Sequence, residues 1–308
     1  GRTAAGLASQ VVSLEMVLAD GSVVTCSRDE RPELFDAARV GLGSLGIVTA
    51  ITWKAIPKFL LRAQEKPMRW DSVLERIDEY DRDNEHFEFY WFPHTDGCLT
   101  KRNNRTEGPA KPLSKFKYWM DDQFLSNTVF GVLNGVTHRA PATAPFFNRI
   151  SAKALGARTY TDTSYKVFTS PRTVRFKEQE YAIPRDNLQG TLRELRALFD
   201  KRDWRISFPI EIRMLPEEDA WLSMAYGRRT AFIAVHVYHR DPHEEYFQGV
   251  EELMVAADGR PHWGKLHTRD ASYLETVYPK FADFRALRDE LDPERRFANA
   301  YTTKVFGD

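Results

Sequence analysis

Three short stretches of this chain carry residues able to do chemistry. Glu211-Ile212-Arg213 sets a carboxylate and a guanidinium two positions apart, and His262-Trp263-Gly264-Lys265 sets an imidazole and an amine around a glycine. In an extended strand the period of two puts Glu211 and Arg213 on one face and Ile210, Ile212 and Met214 on the other. One face then packs while the other presents an acid and a base. A carboxylate so placed accepts hydrogen bonds from the hydroxyls of a polyol, and a guanidinium or ammonium donates to an oxygen that gains charge during reaction. A solvated ion pair would write the same strand pattern, and Lys265 is equally readable as a loop lysine after the turn signal Asp258-Gly259-Arg260-Pro261. The third stretch, Gly41-Leu42-Gly43-Ser44-Leu45-Gly46-Ile47-Val48-Thr49, has glycines that let a backbone approach a cofactor closely, or that simply make turns.

Other site chemistries find less support. His236, His239 and His243 invite a metal reading, but His239 has the opposite strand parity to His236 and Pro242 interrupts before His243. No cysteine or acid cluster completes a zinc site, so no metal is expected. No Gly-x-Ser-x-Gly elbow occurs, since Gly43-Ser44-Leu45-Gly46 lacks that spacing.

The elements that must position these residues read as α+β. Apolar, β-branched runs at 11–18 and 23–26 flank Ala19-Asp20-Gly21-Ser22, a hairpin signature. Pro32 opens a short helix to Arg39, and 47–56 alternates like a strand. Beyond Pro57 the spacing predicts helices over 70–84, 116–133, 188–201, 217–225 and 242–256, and strands over 87–93, 173–181, 206–214 and 231–238. Residues 102–112 read as a polar loop, with a break at 141–145. Uneven alternation without a Gly-x-Gly-x-x-Gly turn favours an antiparallel sheet over a classical nucleotide fold.

Composition bounds the partners. The 308 residues hold 44 Lys plus Arg and 44 Asp plus Glu, so net charge is zero and nucleic acid is not an expected partner. No apolar run is long enough to span a bilayer, which leaves peripheral membrane association open. Cys26 and Cys98 form no disulfide framework and fit a reducing, cytoplasmic setting. The opening Gly1-Arg2-Thr3-Ala4-Ala5-Gly6 reads as a chain that begins inside a glycine-rich loop.

Taken together, the chain resembles the aldonolactone oxidases of the vanillyl-alcohol-oxidase-like flavoproteins, the D-arabinono-1,4-lactone and L-gulono-1,4-lactone oxidases and dehydrogenases. The resemblance rests on Gly6-Leu7-Ala8-Ser9-Gln10-Val11-Val12, the segment Val40 to Thr49, Phe89-Tyr90-Trp91-Phe92-Pro93-His94-Thr95, Glu178-Gln179-Glu180-Tyr181-Ala182-Ile183-Pro184, the Glu-x-Arg strand, Arg260-Pro261-His262-Trp263-Gly264-Lys265, and Asp292-Pro293 with Arg296-Phe297-Ala298-Asn299-Ala300-Tyr301. It implies that residues 1–57 are the second half of an FAD-binding domain, 58–291 a substrate-binding cap with an antiparallel sheet flanked by helices, and 292–308 a tail returning to the flavin. It also implies that an earlier pyrophosphate-binding subdomain belongs to such proteins, so this chain alone is expected to bind FAD weakly.

The implied reaction is oxidation of the C2 hydroxyl of a sugar 1,4-lactone by hydride transfer to flavin N5, with oxygen or another acceptor taking the electrons. Arg213 and Lys265 would stabilise the developing alkoxide and Glu211 would orient neighbouring hydroxyls. Gly41, Gly43, Ser44, Gly46, Ile47, Val48, His262, Asn299 and Tyr301 would contact FAD. An alditol oxidase would use the same residues, and a cap fragment without flavin would do no chemistry at all. Glu211 and Arg213 are expected to face a cleft against Lys265, with Ile210 and Ile212 in the cap core.

Overall fold

The computed structural model describes residues 5–307; Gly1 to Ala4, the start of the expected glycine-rich loop, lie outside the described residues. The hairpin forms as its sequence requires. Strands β1 (Val11–Val17) and β2 (Val23–Ser27) pair antiparallel around Gly21, whose φ of 86° needs glycine, and the Asp20 carboxylate accepts from the Ser22 amide at 2.9 Å. Helix α1 (Pro32–Ala38) follows, with Pro32 in its first turn, and β3 (Ile47–Trp53) completes a three-stranded sheet in the order β2-β1-β3.

The remaining strands make one antiparallel sheet in the order β11-β8-β10-β9-β5-β6-β4-β7. Along the chain come β4 (Leu60–Arg69), α2 (Trp70–Asp83), β5 (His86–Trp91) and β6 (Gly97–Thr106). A helical excursion follows, made of α3 (Lys115–Tyr118), a π-helical stretch (Trp119–Val129), α4 (Phe130–Arg139) and α5 (Ala144–Ala154). Then come β7 (Arg158–Thr163), α6 (Ser164–Phe168), β8 (Phe176–Pro184), α7 (Leu188–Arg202), β9 (Ile210–Leu215), β10 (Thr230–Tyr238) and α8 (Glu244–Ala256). The two-residue β11 (Arg260–Pro261) and α9 (Ala271–Val277), α10 (Phe281–Leu291) and α11 (Ala300–Phe306) close the chain.

Two apolar clusters hold these elements. In the larger, Trp70, Val73, Leu74, Ile77 and Tyr80 of α2, Leu188, Leu192, Leu195 and Phe199 of α7, and Tyr246, Val250 and Met254 of α8 cover one face of the large sheet. That face carries Phe87, Phe89, Trp91, Ile210, Ile212, Met214, Ile233 and Val235. Burying each such side chain contributes about 1.5–3 kcal/mol. The second cluster joins Leu14, Met16, Phe35 and Leu45 of the small-sheet unit to Trp221, Leu222, Trp263, Tyr278, Phe281, Phe284, Val305 and Phe306. The return to the small sheet thus packs from Trp263 onward.

Three expectations need correction. The supposed loop 102–112 is strand through Thr106, paired residue for residue with β4 from Leu60↔Thr106 to Arg69↔Gly97. Apolar alternation fails there on both faces: Asn103 and Arg105 lie on the polar face, while Arg102 stacks on Tyr80 and Asn104 bonds Asn84 on the helix side. The helix expected at 217–225 is absent. There the Glu218 amide bonds Ala225 O at 2.9 Å and the Trp221 amide bonds Asp36 O at 3.0 Å, so these donors close a loop and stitch it to α1. Strand starts also shift inward, to Phe176 and Ile210.

Candidate active site

The face of the large sheet opposite the helices is where the charges collect. Register sets it row by row. Glu178 pairs with His236; Glu180 pairs with Ala234, which pairs with Glu211, which pairs with Tyr90; Phe232 pairs with Arg213, which pairs with Glu88, which pairs with Lys101. Residues directly opposite in an antiparallel sheet share a face, so Glu178, Glu180, His236, Glu211, Arg213, Glu88 and Tyr90 point the same way. Ile210 and Ile212 are fully buried on the other side, as the alternation requires.

Each cation is fixed by a different acid of β8. Arg213 hydrogen-bonds Glu180 through its Nη2 and approaches Glu211 at 3.4 Å through Nε, while the Lys265 ammonium bonds Glu178. His236 Nε2 lies 3.3 Å from the other Glu178 oxygen. The segment carrying Lys265 runs beside β8 because the His262 amide bonds Glu180 O at 2.9 Å and the Leu266 amide bonds Glu178 O at 3.0 Å. The two acids therefore bring Arg213 and Lys265 to one region of the face.

The electrostatics follow from this packing. Burial pushes the Glu178 carboxyl up, but hydrogen bonds from His236 and Lys265 outweigh it and bring it to about 2. Glu211 moves the other way: burial and then the Glu88 charge raise it, against Arg213 and Arg172. For Arg213, burial is outweighed by Glu180 and Glu211, which hold the guanidinium charged. Burial lowers His262, helped by the nearby cations Lys265 and Arg213 and opposed by Glu180. Glu180 is fully buried, and its Oε2 has no hydrogen-bond partner. His262 Nε2 stands 4.0 Å from that oxygen.

Glu178, Glu180, His236 and the Tyr90–Glu88–Arg172 group were not named as site residues from sequence. Tyr90 donates to Glu88 at 3.2 Å, and Arg172 hydrogen-bonds Tyr90. The signal was available for the β8 pair, since Glu178 and Glu180 alternate with Gln179 and Tyr181 as Glu211 and Arg213 do with their neighbours.

The glycine-rich stretch forms a cradle at the start of β3, exposed at Gly43 and buried at Gly41, Ser44, Leu45 and Gly46. Leu42 (φ 53°) and Gly43 (φ 71°) are both left-handed, and a side chain at Gly43 would meet nothing within 4 Å. Ser44 is buried and donates to Gly41 O at 2.6 Å, which fixes the turn, and Gly46 sits where a Cβ would come within 2.8 Å of Val17 O. Ile47 and Val48 are exposed beside it.

The other three sequence candidates have polar atoms already engaged. His262 Nδ1 accepts from the Gly264 amide at 3.0 Å. Asn299 caps α11, its side chain accepting from the Tyr301 and Thr302 amides at 2.9 and 3.0 Å. The Tyr301 hydroxyl donates to Trp263 O at 2.8 Å and meets His267 Nε2 at 2.9 Å. These contacts tie the C-terminal helix to the Lys265 turn.

Comparison with known proteins supplies the family. Residues 51–305 match the family model described as D-arabinono-1,4-lactone oxidase. The chain is 40% identical over 301 residues to L-gulono-1,4-lactone dehydrogenase of Mycobacterium tuberculosis, covering 98% of this chain and 69% of that one. It is 32% identical to L-gulonolactone oxidase of Bos taurus, covering 97% and 69%. Among solved structures, cholesterol oxidase from B. sterolicum superposes with a TM-score of 0.80 at 18% identity, over 99% of this chain and 70% of that one, a likeness of fold. The chain belongs to the D-arabinono-1,4-lactone oxidase family, a family of FAD-dependent oxidoreductases.

Proposed function

We propose that this face binds a sugar-derived 1,4-lactone, of the D-arabinono or L-gulono type, and serves oxidation of its C2 hydroxyl. FAD, when bound, supplies the hydride acceptor at N5. The Gly41–Gly46 cradle and the exposed Ile47 and Val48 fit such a group: no side chain fills the space at Gly43, so the group can approach the backbone, and two apolar side chains lie beside it. His262, Asn299 and Tyr301 would border it from the Lys265 turn and the C-terminal helix. In the accompanying division of labour, residues 1–57 and 292–308 form the cofactor-binding part and 58–291 the cap, whose stretch from Trp263 packs on the cofactor part.

The observation that carries the reading is the pair of anchored cations. Arg213 and Lys265 are each held by a β8 acid, so neither has to be reoriented as charge develops on the substrate oxygen. They stabilise the C2 alkoxide formed as the hydroxyl proton passes to a neighbouring carboxylate, with Glu211 beside Arg213 as its acceptor, and the alkoxide becomes the ketone as hydride leaves its carbon. Glu211, beside Arg213, accepts hydrogen bonds from neighbouring hydroxyls. The final electron acceptor is oxygen or another oxidant.

A substrate panel on the FAD-loaded enzyme tests this. Turnover of 1,4-lactones with Arg213→Lys reduced in kcat/KM by about a hundredfold is expected, because an ammonium cannot reproduce the guanidinium fork that engages Glu180 and Glu211 together. Turnover of open-chain alditols with no activity on lactones would replace the lactone reading.

A further inference from the structure

The row of side chains across the active-site face is walled at one end and continues at the other. At the β8 end the His262 and Leu266 amides bond Glu180 O and Glu178 O, so the Lys265 segment closes it. In the other direction the sheet runs on from β9 to β5 and β6, and the face carries Tyr90 opposite Glu211, Glu88 opposite Arg213 and Lys101 opposite Glu88. These side chains are latched to one another. The Tyr90 hydroxyl donates to Glu88 at 3.2 Å, and the Lys101 ammonium sits 3.5 Å from the same Glu88 oxygen and 4.8 Å from the centre of the Tyr90 ring.

A third cation stands at this end. Arg172 hydrogen-bonds Tyr90, yet it is exposed, and among the described residues no carboxylate lies within ion-pair distance of it. Arg213 and Lys265 are the contrast, each bound to a β8 acid. A guanidinium carries several N–H donors in a planar fork, so a bond to one phenol leaves most of the fork open. The position of Arg172 is not left to a loose loop. Residues 169–175 hold no helix or strand between α6 and β8, but Asn127 of the π-helical stretch clamps them on both sides of Arg172. Its Nδ2 donates to Pro171 O at 3.0 Å, and its Oδ1 accepts from the Thr173 amide at 2.7 Å and the Thr173 hydroxyl at 3.0 Å. Nδ2 also donates to Asp122 O at 2.8 Å, so this buried amide is fully satisfied and holds the loop rigidly.

We propose that Arg172, seated on Tyr90, is the subsite for the exocyclic side chain of the lactone, its fork binding the vicinal diol of a two-carbon side chain, so that six-carbon 1,4-lactones are favoured over five-carbon ones. This rests on the lactone reading of the same face. With the C2 oxygen held between Arg213 and Lys265 and the β8 end walled, the far side of the ring extends across β9 toward β5, one strand spacing of about 4.8 Å further on. A six-carbon 1,4-lactone carries adjacent hydroxyls on C5 and C6 there, and a five-carbon one carries a single hydroxyl on C5. Two parallel N–H donors match two adjacent oxygens, whereas a lone hydroxyl engages only one of them.

Steady-state kinetics of the FAD-loaded enzyme with L-galactono-1,4-lactone and D-arabinono-1,4-lactone test it, because the two share their ring configuration at C2, C3 and C4 and differ by one exocyclic CHOH. The parent is expected to have the higher kcat/KM on the six-carbon lactone by about tenfold, the effect of one hydrogen bond to a charged group. Arg172→Leu should raise KM for that lactone by about tenfold, against less than about threefold for the five-carbon one, with kcat moving less than KM. Arg172→Lys should recover only part of the preference, since an ammonium lacks the fork. Arg172 is exposed, so both variants are expected to fold. Equal losses on the two lactones, no change on either, or a parent that favours the five-carbon lactone overturns the subsite and leaves the lactone reading standing. A parent that turns over open-chain alditols and neither lactone overturns the lactone reading itself, and the subsite with it.

Discussion

Glu211 is buried beside Glu88, so its carboxyl lies above the usual carboxylate range, chiefly from burial and then from that neighbour's charge. A carboxyl raised in the fold disfavours folding wherever the unfolded chain would be ionised, above about pH 4.5. Glu211→Gln is therefore expected to raise the melting temperature at pH 7 to 8, to leave it unchanged near pH 3, and to lower lactone turnover. Differential scanning calorimetry across pH reads the first two effects. Glu178 behaves oppositely. Its folded value of about 2 means its ionised form stabilises the fold fully above about pH 4.5, and that contribution is lost as pH falls toward 2. The stability gap between the parent and Glu178→Gln should close over that window; a gap independent of pH would mean that Glu178 is not tied to His236 and Lys265 as described.

At the level of elements, the strand alternation was the most legible feature. Ile210, Ile212 and Met214 in and Glu211 and Arg213 out follow from a period of two, and the hairpin at Asp20-Gly21 follows from its turn residues. What could not be read was register, since nothing local says that Glu180 will stand beside Ala234 and so beside Glu211. Strands β4 and β7 were missed because the buried positions of β4, Leu61, Ala63 and Glu65, mix apolar residues with an acid that meets Arg158 of β7 at 2.8 Å, which masks the apolar alternation. The helix expected at 217–225 had suitable residues but gave its amides to remote partners. The glycine loop yields a paired test. Gly46→Ala places a Cβ 2.8 Å from Val17 O at φ 154° and should cost a few kcal/mol. Gly43→Ala meets open space and should cost about 1–2 kcal/mol for its left-handed backbone, yet weaken FAD binding more than Gly46→Ala does relative to its stability cost. Urea melts beside flavin titration measure both. Equal ratios for the two variants would remove the cradle from the cofactor site.

Across the whole molecule, two apolar clusters meet through the segment after β11. Trp263 packs in the smaller cluster and donates to Leu222 O at 2.8 Å, while two residues later Lys265 reaches Glu178 on the large sheet. The family resemblance read from sequence motifs agrees with the family match, but the way Trp263 and Lys265 link the small-sheet cluster to the large sheet depends on contacts 41 and 87 residues apart in sequence and lay beyond local pattern. The central claim is that Arg213 and Lys265, fixed by Glu180 and Glu178, hold the alkoxide charge on the substrate oxygen from which hydride is expelled. The most direct measurement is anaerobic stopped-flow bleaching of flavin absorbance by L-gulono-1,4-lactone, comparing Lys265→Met with the parent FAD-loaded enzyme. The account predicts a reduction rate lower by about a hundredfold with lactone affinity changed far less. Bleaching at the parent rate, with loss only in steady-state turnover, would place Lys265 in the electron-acceptor half of the cycle and contradict the account.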